Sequence, residues 1–489
     1  MSLSVIAGVA SLFAGIILLP FILGAVGAER YGVWLVLSSV ASYLYFADIG
    51  VGAAITHYGS RSRGGENGPS LKKLLFSGLV FSTGACLAIA PMYYFFTSWY
   101  VGTWGTSMGE QEKAPIIWLS LGLMVPLLLR PFGSALVGAG FLTIDRRNQV
   151  VGVAVRVVGT LIACAYGFGI VGIAIAELMA LVVPSVLSIL SLYARRLLSF
   201  ERGDISRDTL RLMLRFSYRS FSVSLVGALT VQSGVIMIGL VGSPAEATYY
   251  NAAFRIYGSV RQLLAWTVDP FKPALSRLYA SNRAEASSVL KSVLLVSLGA
   301  GAAASCALII AVPDLVTIWL GGAVPAESVS LTAQILLAGL LLNMVHIPLA
   351  PATDAVGKPG TLFWGQILWL CLCLGLGYPL ATEFGIIGIA LALSAPLILV
   401  EPFMLKLALP PIGLSLTEWY FAVAKPIVVL ISVSLGGSAL IVSVIWFINL
   451  DYLWLWFAFA FCVCVLVTVF VLNRTFRLQE SIAVLNVEL

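Results

Sequence analysis

Long apolar runs separated by short polar segments dominate the chain. Most runs are about twenty residues or longer, the length that a helix needs to cross a hydrocarbon layer of about 30 Å. The first run leads directly into a second, which favours a retained helix over a cleaved signal sequence. The pattern predicts about fourteen transmembrane helices, at residues 4–28, 31–55, 74–98, 115–140, 149–169, 171–194, 216–241, 247–272, 289–312, 329–350, 360–381, 385–406, 419–447 and 453–473.

The composition agrees with this pattern. Hydrophobic residues make up 60% of the 489 positions and charged residues 10%, whereas an average soluble domain is about 45–50% apolar and about 25% charged. A soluble enzyme, a disordered scaffold and a disulfide-stapled secreted domain are therefore excluded. The seven cysteines lie in apolar runs, and His57 and His346 are far apart in sequence. We expect no metal site and no cofactor, and we interpret His346 as a satisfied helix-packing residue rather than a proton relay.

The positions of the basic residues predict the orientation in the membrane. If the N-terminus is cytoplasmic, twenty of the 28 Lys and Arg residues fall on cytoplasmic segments or helix ends, and only Arg30 and Lys113 fall outside. The remaining six cations lie within spans. Cytoplasmic loops are enriched in Lys and Arg, so the excess predicts that both termini are cytoplasmic.

The chain also contains a weak internal sequence repeat. A G-x-V-G motif followed by Glu and Tyr precedes the second span at 24–31 and the eighth span at 239–249. Two parallel six-helix halves are a known plan for transporters. We therefore predict an all-α polytopic membrane protein with two pseudo-symmetric six-helix lobes and a C-terminal helix pair. The predicted divisions are a first lobe at 1–197, an amphipathic cytoplasmic linker at 198–215, a second lobe at 216–412, and the last helix pair with a tail at 413–489.

Two stretches resemble a known family. Residues 27–34 (GAERYGVW) with 48–54 (DIGVGAA), and residues 248–255 (TYYNAAFR), are similar to the second and eighth helices of Wzx-type polysaccharide flippases. These form the polysaccharide-transporter branch of the multidrug/oligosaccharidyl-lipid/polysaccharide exporter superfamily. The resemblance implies a flippase, not an enzyme. It would move undecaprenyl-pyrophosphate-linked oligosaccharides of O-antigen or exopolysaccharide synthesis to the outer leaflet by alternating access, with polymerase and chain-length proteins as possible partners.

Arginines inside the predicted spans are the candidate substrate-binding residues. A charge in mid-span costs roughly 2.5–3.5 kcal/mol on insertion scales, so it usually faces a partner or a water-filled cavity. Planar guanidinium groups also suit a pyrophosphate, because they bind its oxygens bidentately. Each of these arginines has an alternative to substrate binding. It could pair with a carboxylate or, near a helix end, extend its side chain to the membrane interface. The candidates are Arg255, Arg261, Arg130, Arg156 and Arg219.

Three carboxylates are candidates for ion coupling or for balancing these arginines. They are Asp48, Asp269 and Glu177. Asp48 or Glu177 would suit Arg130 or Arg156 as a partner. For Asp48 we favour a counter-ion of Arg156 or Arg261 over a carrier of Na⁺ or H⁺, because five arginines lie in spans four to eight and few carboxylates can balance them.

Two other transport functions remain open from the sequence. One is a cation-coupled multidrug antiporter of the same superfamily, for which Asp48 would be the coupling group. The other is a flippase of lipid II-type peptidoglycan precursors, which also present a pyrophosphate. The uncharged first span and the basic outer part of the eighth span favour an anionic substrate. A membrane enzyme is disfavoured because no long external loop exists to carry the chemistry.

The orientation is testable by cysteine labelling of intact cells. Engineered cysteines at Ser107 and Ser243 should react with an impermeant thiol reagent, and those at Ser62 and Ser206 should react only after the membrane is permeabilised. Labelling of position 206 in intact cells would reverse the predicted orientation and the direction of transport.

Overall fold

The computed structural model describes residues 2–48, 50–63, 69–198, 205–268, 275, 278, 279, 281–358, 360–432 and 436. In this part of the chain the secondary structure is α-helical, with short 3-10 and π turns and no β-strand. Eight helical stretches are long and apolar enough to cross a membrane, and together they hold ten of the predicted spans. The prediction of an all-α polytopic membrane protein is confirmed.

The structure divides into two compact units, residues 1–251 and residues 252–489. Among its described residues, the first unit contains eight helices and the start of a ninth. They are α1 (Ser2–Leu44), α2 (Val51–Arg63), α3 (Leu71–Trp104), α4 (Glu110–Gly122), α5 (Val125–Gly138), α6 (Leu142–Ala165), α7 (Gly169–Ala194), α8 (Arg207–Val241) and α9 (Pro244–Val268).

The second unit contains the rest of α9 and a set of helices that pack on one another. They are α10 (Arg283–Leu320), α11 (Ala326–Asn343), α12 (His346–Ala355), α13 (Phe363–Ser394) and α14 (Leu397–Ala408), followed by a helical turn at Leu416–Trp419 and a π turn at Tyr420–Ala424. The unit boundary lies within α9, so α8 groups with the first unit. The lobe and linker divisions at 197, 215 and 412 stay predictions.

Helices are the expected solution because hydrocarbon offers no partner for backbone N–H and C=O groups, which a helix satisfies internally. The turns between spans need special backbone conformations. Gly27 separates the first two predicted spans within α1 at φ +79°, and Gly385 separates two others within α13 at φ +56°. These positive φ values are readily adopted only by glycine.

Several predicted boundaries were wrong by more than one turn. Helix α6 begins at Leu142 instead of residue 149, and α8 begins at Arg207 instead of residue 216, so part of the predicted linker is helical. The second span is interrupted after the 3-10 turn Tyr45–Asp48, and α2 starts again at Val51. The thirteenth predicted span is described only up to residue 432 and at residue 436. The fourteenth lies entirely outside the described residues.

The first unit is held together at one end by an apolar cluster from five helices. Fully buried side chains of α2, α3, α5, α7 and α8 meet there, at Val51, Ala54, Ile55, Leu74, Leu75, Ala135, Leu136, Leu192 and Met213. This core packs α2 against α5 directly after the interruption that follows Asp48. The packing therefore fixes the helices that carry the polar groups near that interruption.

A close helix approach elsewhere in this unit gives a test of the packing. A Cβ atom on Gly32 of α1 would overlap the backbone oxygen of Pro244, whereas one on Gly24 of the same helix would meet open space. We expect Gly32→Ala to lower the unfolding free energy by about 1–3 kcal/mol, the usual cost of overpacking. Gly24→Ala should be neutral or slightly stabilising because alanine is the better helix former. Thermal unfolding in detergent, followed by loss of the monodisperse peak, measures both. Equal stability of the two variants would contradict this packing.

Candidate functional site

The first unit encloses a polar cavity of about 800 Å³. Its walls come from the interruption before α2, and from α2, α5, α6, α7 and α8. Ten polar or charged side chains line it: Ser42, Thr56, Arg130, Ser134, Asp145, Arg146, Gln149, Ser185, Ser188 and Gln232. A cavity so rich in hydroxyl, amide and guanidinium groups, inside helices of apolar composition, can hold a polar ligand away from the hydrocarbon.

Arg130 reaches this cavity from α5 and is held there by Asp48. Its Nη1 lies 3.4 Å from Asp48 Oδ2 and donates a 3.1 Å hydrogen bond to the backbone oxygen of Tyr45. The Asp48 side chain is 5% exposed, while that of Arg130 is 49% exposed. The guanidinium is therefore oriented from one side by a buried carboxylate and remains open to the cavity on the other.

Asp48 also forms the start of helix α2. Its Oδ1 accepts a 2.8 Å hydrogen bond from the backbone N–H of Gly50, and its Oδ2 accepts one of 3.4 Å from Gly52. A carboxylate at a helix N-terminus satisfies otherwise unpaired amides and is favoured by the helix dipole. A Cβ on Gly52 would crowd the Ser134 hydroxyl and Asp48 Oδ2. Asp48 thus caps α2 and lies beside Arg130. Arg130 was one of the partners that the sequence left open, whereas the favoured partners were Arg156 and Arg261.

Arg146 also lines this cavity, and hydrogen bonds along α6 hold its side chain in place. Its Nη1 donates to Gln149 Oε1 at 2.9 Å, and Gln149 Nε2 donates to Asp145 Oδ2 at 2.8 Å. The Arg146 Nε is buried with no hydrogen-bond partner. In the described part of the chain, no carboxylate lies within 4.0 Å of this guanidinium. Its charge is available to an anion in the cavity.

Arg156 belongs to a different cluster of the first unit. Its Nη2 lies 3.1 Å from Glu177 Oε1, and the other carboxylate oxygen, Oε2, accepts a 2.6 Å hydrogen bond from Nε1 of the fully buried Trp34. These three side chains tie α6, α7 and α1 together. The sequence suggested Asp48 or Glu177 as the carboxylate partner of Arg156, and the structure pairs Arg156 with Glu177. Neither residue is among those that line the cavity.

Arg255 and Arg261 lie on the part of α9 that belongs to the second unit. Both are partly exposed, and Arg261 Nη1 is 3.4 Å from the Tyr257 hydroxyl, one turn away. Six residues along a helix correspond to about 9 Å of rise and about 120° of rotation. Their convergence on one ligand stays a prediction. The Arg219 side chain and Asp269 lie outside the described residues.

Sequence reasoning missed Arg146 and Gln149 because it placed Arg146 before the fifth span and Gln149 at the first position of that span. Their polar character at 145–149 (DRRNQ) was interpreted only as a cytoplasmic charge cluster. It also passed over Glu401, a carboxylate inside the apolar run 385–406, which the structure places beside His346. A search for single charges within otherwise apolar runs would have found Glu401.

The chain was compared with known families and structures. Residues 144–323 match the family described as "Polysaccharide biosynthesis protein". No curated protein is significantly similar in sequence. The structure is similar to lipid II flippase MurJ in an inward closed conformation, with a TM-score of 0.74, 15% identity, and coverage of 98% of this chain and 100% of that one.

Two MATE transporters are also similar in fold. One is an inward-facing MATE family transporter of the MOP superfamily, with a TM-score of 0.67, 15% identity, and coverage of 82% of this chain and 94% of that one. The other is the Vibrio cholerae MATE transporter VcmN, with a TM-score of 0.54, 14% identity, and coverage of 86% and 95%. The chain thus has the polytopic helical fold of these flippase and MATE structures, and residues 144–323 match the polysaccharide biosynthesis family.

Proposed function

We propose that this protein is a flippase that moves undecaprenyl-pyrophosphate-linked oligosaccharide repeat units from the cytoplasmic to the outer leaflet of a bacterial inner membrane. The product would supply synthesis of a surface polysaccharide such as O-antigen or exopolysaccharide. The observation that carries this proposal is the cavity of the first unit, in which Arg130 and Arg146 face one polar space. The polysaccharide biosynthesis match at 144–323 includes Arg146 and supports the substrate class.

The chemistry of the cavity suits both parts of the polar headgroup. A pyrophosphate needs cationic donors in place of water, and a guanidinium offers two parallel charge-assisted hydrogen bonds. Sugars need hydroxyl and amide partners, which Gln149, Gln232 and Ser185 provide. A volume of about 800 Å³ lies within the usual range of roughly 300–1,000 Å³ for ligand pockets. The lipid tail would stay in the bilayer while the headgroup crosses by alternating access.

An anionic substrate fits the cavity better than a cationic drug. Asp145 is the carboxylate among its lining residues, and one of its oxygens already accepts a hydrogen bond from Gln149. The charged lining residues are two arginines and this one carboxylate, an excess of one positive charge that favours an anion. A lipid II-type precursor shares the pyrophosphate and would use the same arginines, so the sugar part of the substrate distinguishes these two flippase functions.

Arg146 and its neighbour Arg147 form a matched pair for testing the cavity. Both lie on α6, but Arg146 lines the cavity and Arg147 is exposed elsewhere. Loss of a charge-assisted contact of about 1.5–3 kcal/mol should weaken binding about 10- to 100-fold. We expect this loss for Arg146→Gln and for Arg130→Gln, and near-wild-type binding for Arg147→Gln, measured with fluorescent undecaprenyl-pyrophosphate oligosaccharide in detergent and then as flipping in liposomes.

Two substrate controls accompany this measurement. An undecaprenyl monophosphate carrying no sugar should bind more weakly, and an organic dye cation should not be transported. Equal effects of Arg146→Gln and Arg147→Gln, or active transport of the dye, would refute the proposal. The same assay with Arg255→Ala and Arg261→Ala, and with Lys at both sites, tests whether these residues of α9 contact the headgroup.

Asp48→Asn tests whether the buried carboxylate is a counter-ion or an ion carrier. As the counter-ion of Arg130, its neutralisation should leave an uncompensated positive charge and tighten headgroup binding several-fold. The fold should survive because asparagine also caps helices well. The double variant Asp48→Asn/Arg130→Gln should lose this gain, since interacting residues are not additive.

If Asp48 is an ion carrier, the same variant should give a different result. Binding would be unchanged, and any dependence of transport on a sodium or pH gradient would disappear. Flipping measured at two sodium concentrations and two pH values, with wild type alongside, separates these outcomes.

A further inference from the structure

The second unit contains a buried polar cluster that lies apart from the cavity residues. His346 Nδ1 lies 2.6 Å from Glu401 Oε1, and His346 Nε2 lies 3.3 Å from Gln366 Nε2. The three residues are 3%, 5% and 7% exposed. They come from α12, α14 and α13 respectively, so three helices meet at one imidazole.

The orientation of the Gln366 amide decides which ring nitrogen carries the proton. With Gln366 Nε2 facing His346 Nε2, that ring nitrogen is the acceptor. A neutral ring then carries its proton on Nδ1, which donates to the Glu401 oxygen. With Glu401 ionised, the cluster in this arrangement carries one negative charge.

That state leaves two buried oxygens without partners. Glu401 Oε2 and Gln366 Oε1 make no hydrogen bond. An uncompensated charge and unpaired acceptors are costly in an apolar interior. One added proton would remove most of this cost, because an imidazolium beside a carboxylate has no net charge.

We propose that His346, Glu401 and Gln366 form a proton-binding site in the second unit. The proton adds to Nε2 of His346, and the Gln366 amide turns over so that its oxygen accepts from the new N–H. The pair changes from imidazole and carboxylate to imidazolium and carboxylate, and no other bond forms or breaks. The ligand is one proton taken from the aqueous phase.

The surroundings allow this proton to change the arrangement of helices. His346 is the first residue of α12, directly after the interruption at Met344 and Val345 that separates α12 from α11. The Trp369 ring is edge-on to the imidazole at 6.0 Å between centroids and is held by a 2.9 Å bond from its Nε1 to the Leu393 oxygen. Protonation would therefore alter contacts at a helix break rather than within a continuous helix.

The charged side chains described on the surrounding helices lie at more exposed positions than this cluster. Glu401 is the carboxyl group that faces the imidazole, and the other charged residues described on α10–α14 are exposed or half-buried: Arg283, Glu285, Lys291, Asp314, Glu327, Asp354, Glu383 and Lys406. The thiols of Cys306 on α10 and Cys373 on α13 are buried. Lys291 lies 4.0 Å from Glu418, away from the cluster's hydrogen bonds. The protonation of His346 should accordingly depend on Glu401 above all.

The chain offers an unusually direct measurement, because His57 and His346 are its only histidines. In a His57→Asn background, ¹⁵N-histidine labelling leaves a single imidazole signal in the NMR spectrum of the whole protein in detergent. From about pH 8 to about pH 5, where imidazoles take up a proton, we expect His346 to change from the Nδ1–H form to the doubly protonated form. In Glu401→Gln the doubly protonated fraction at the same pH should fall several-fold.

A His346 signal that keeps one protonation state over this range in the His57→Asn protein would overturn the proposal, and this measurement needs no change to the cluster itself. A signal that moves with sodium at constant pH, and not with pH, would also overturn it in favour of a metal-ion site. A titration unaffected by Glu401→Gln in a folded protein would contradict the pairing.

The consequence for transport rests on the proposed function, but the NMR titration does not. If transport is proton-coupled through this site, His346→Gln should flatten the pH dependence of flipping while headgroup binding in the first unit stays within about twofold. Titration of His346 in a protein that fails to flip lipid-linked oligosaccharide would refute the proposed substrate and leave the proton site standing.

Discussion

The compensation of charge inside an apolar helix bundle is the constraint on which this structure depends. Three carboxylates lie beside a basic side chain: Asp48 beside Arg130, Glu177 beside Arg156, and Glu401 beside His346. The buried Asp145 instead accepts a hydrogen bond from the neutral Gln149. The basic partners differ in exposure. Arg156 contacts a carboxylate that a buried tryptophan also contacts, whereas Arg130 keeps half of its surface open to a cavity.

Interruptions of the helices position these charged and polar side chains. The break between Asp48 and Val51 exposes the first amides of α2, and the Asp48 side chain closes them while it orients Arg130. The break before His346 has the same consequence in the second unit, where it frees an imidazole to meet side chains from two other helices. Regular transmembrane helices give each side chain a fixed direction, and breaks in them allow polar groups to converge.

Much of the architecture could be predicted from the sequence alone. Twenty-residue apolar runs, the asymmetry of Lys and Arg, and the Gly27–Trp34 segment were sufficient for a polytopic fold of the flippase type. Helix boundaries were less accurate at Leu142 and Arg207, because polar residues at the start of a helix resemble a loop in composition. The late predicted start of α6 kept Arg146 out of the candidates, and the structure places both Arg146 and Gln149 in the wall of the cavity.

The sequence by itself determined the membrane-spanning helical class, the candidate arginines and the scarcity of carboxylates, since these follow from local composition and the thickness of a bilayer. The tertiary structure alone decided the partners. Asp48 is 82 positions from Arg130, and Glu401 is 55 positions from His346, so no local pattern links them. Which side chains meet depends on how helices pack and where they break, and these interactions are long-range in sequence.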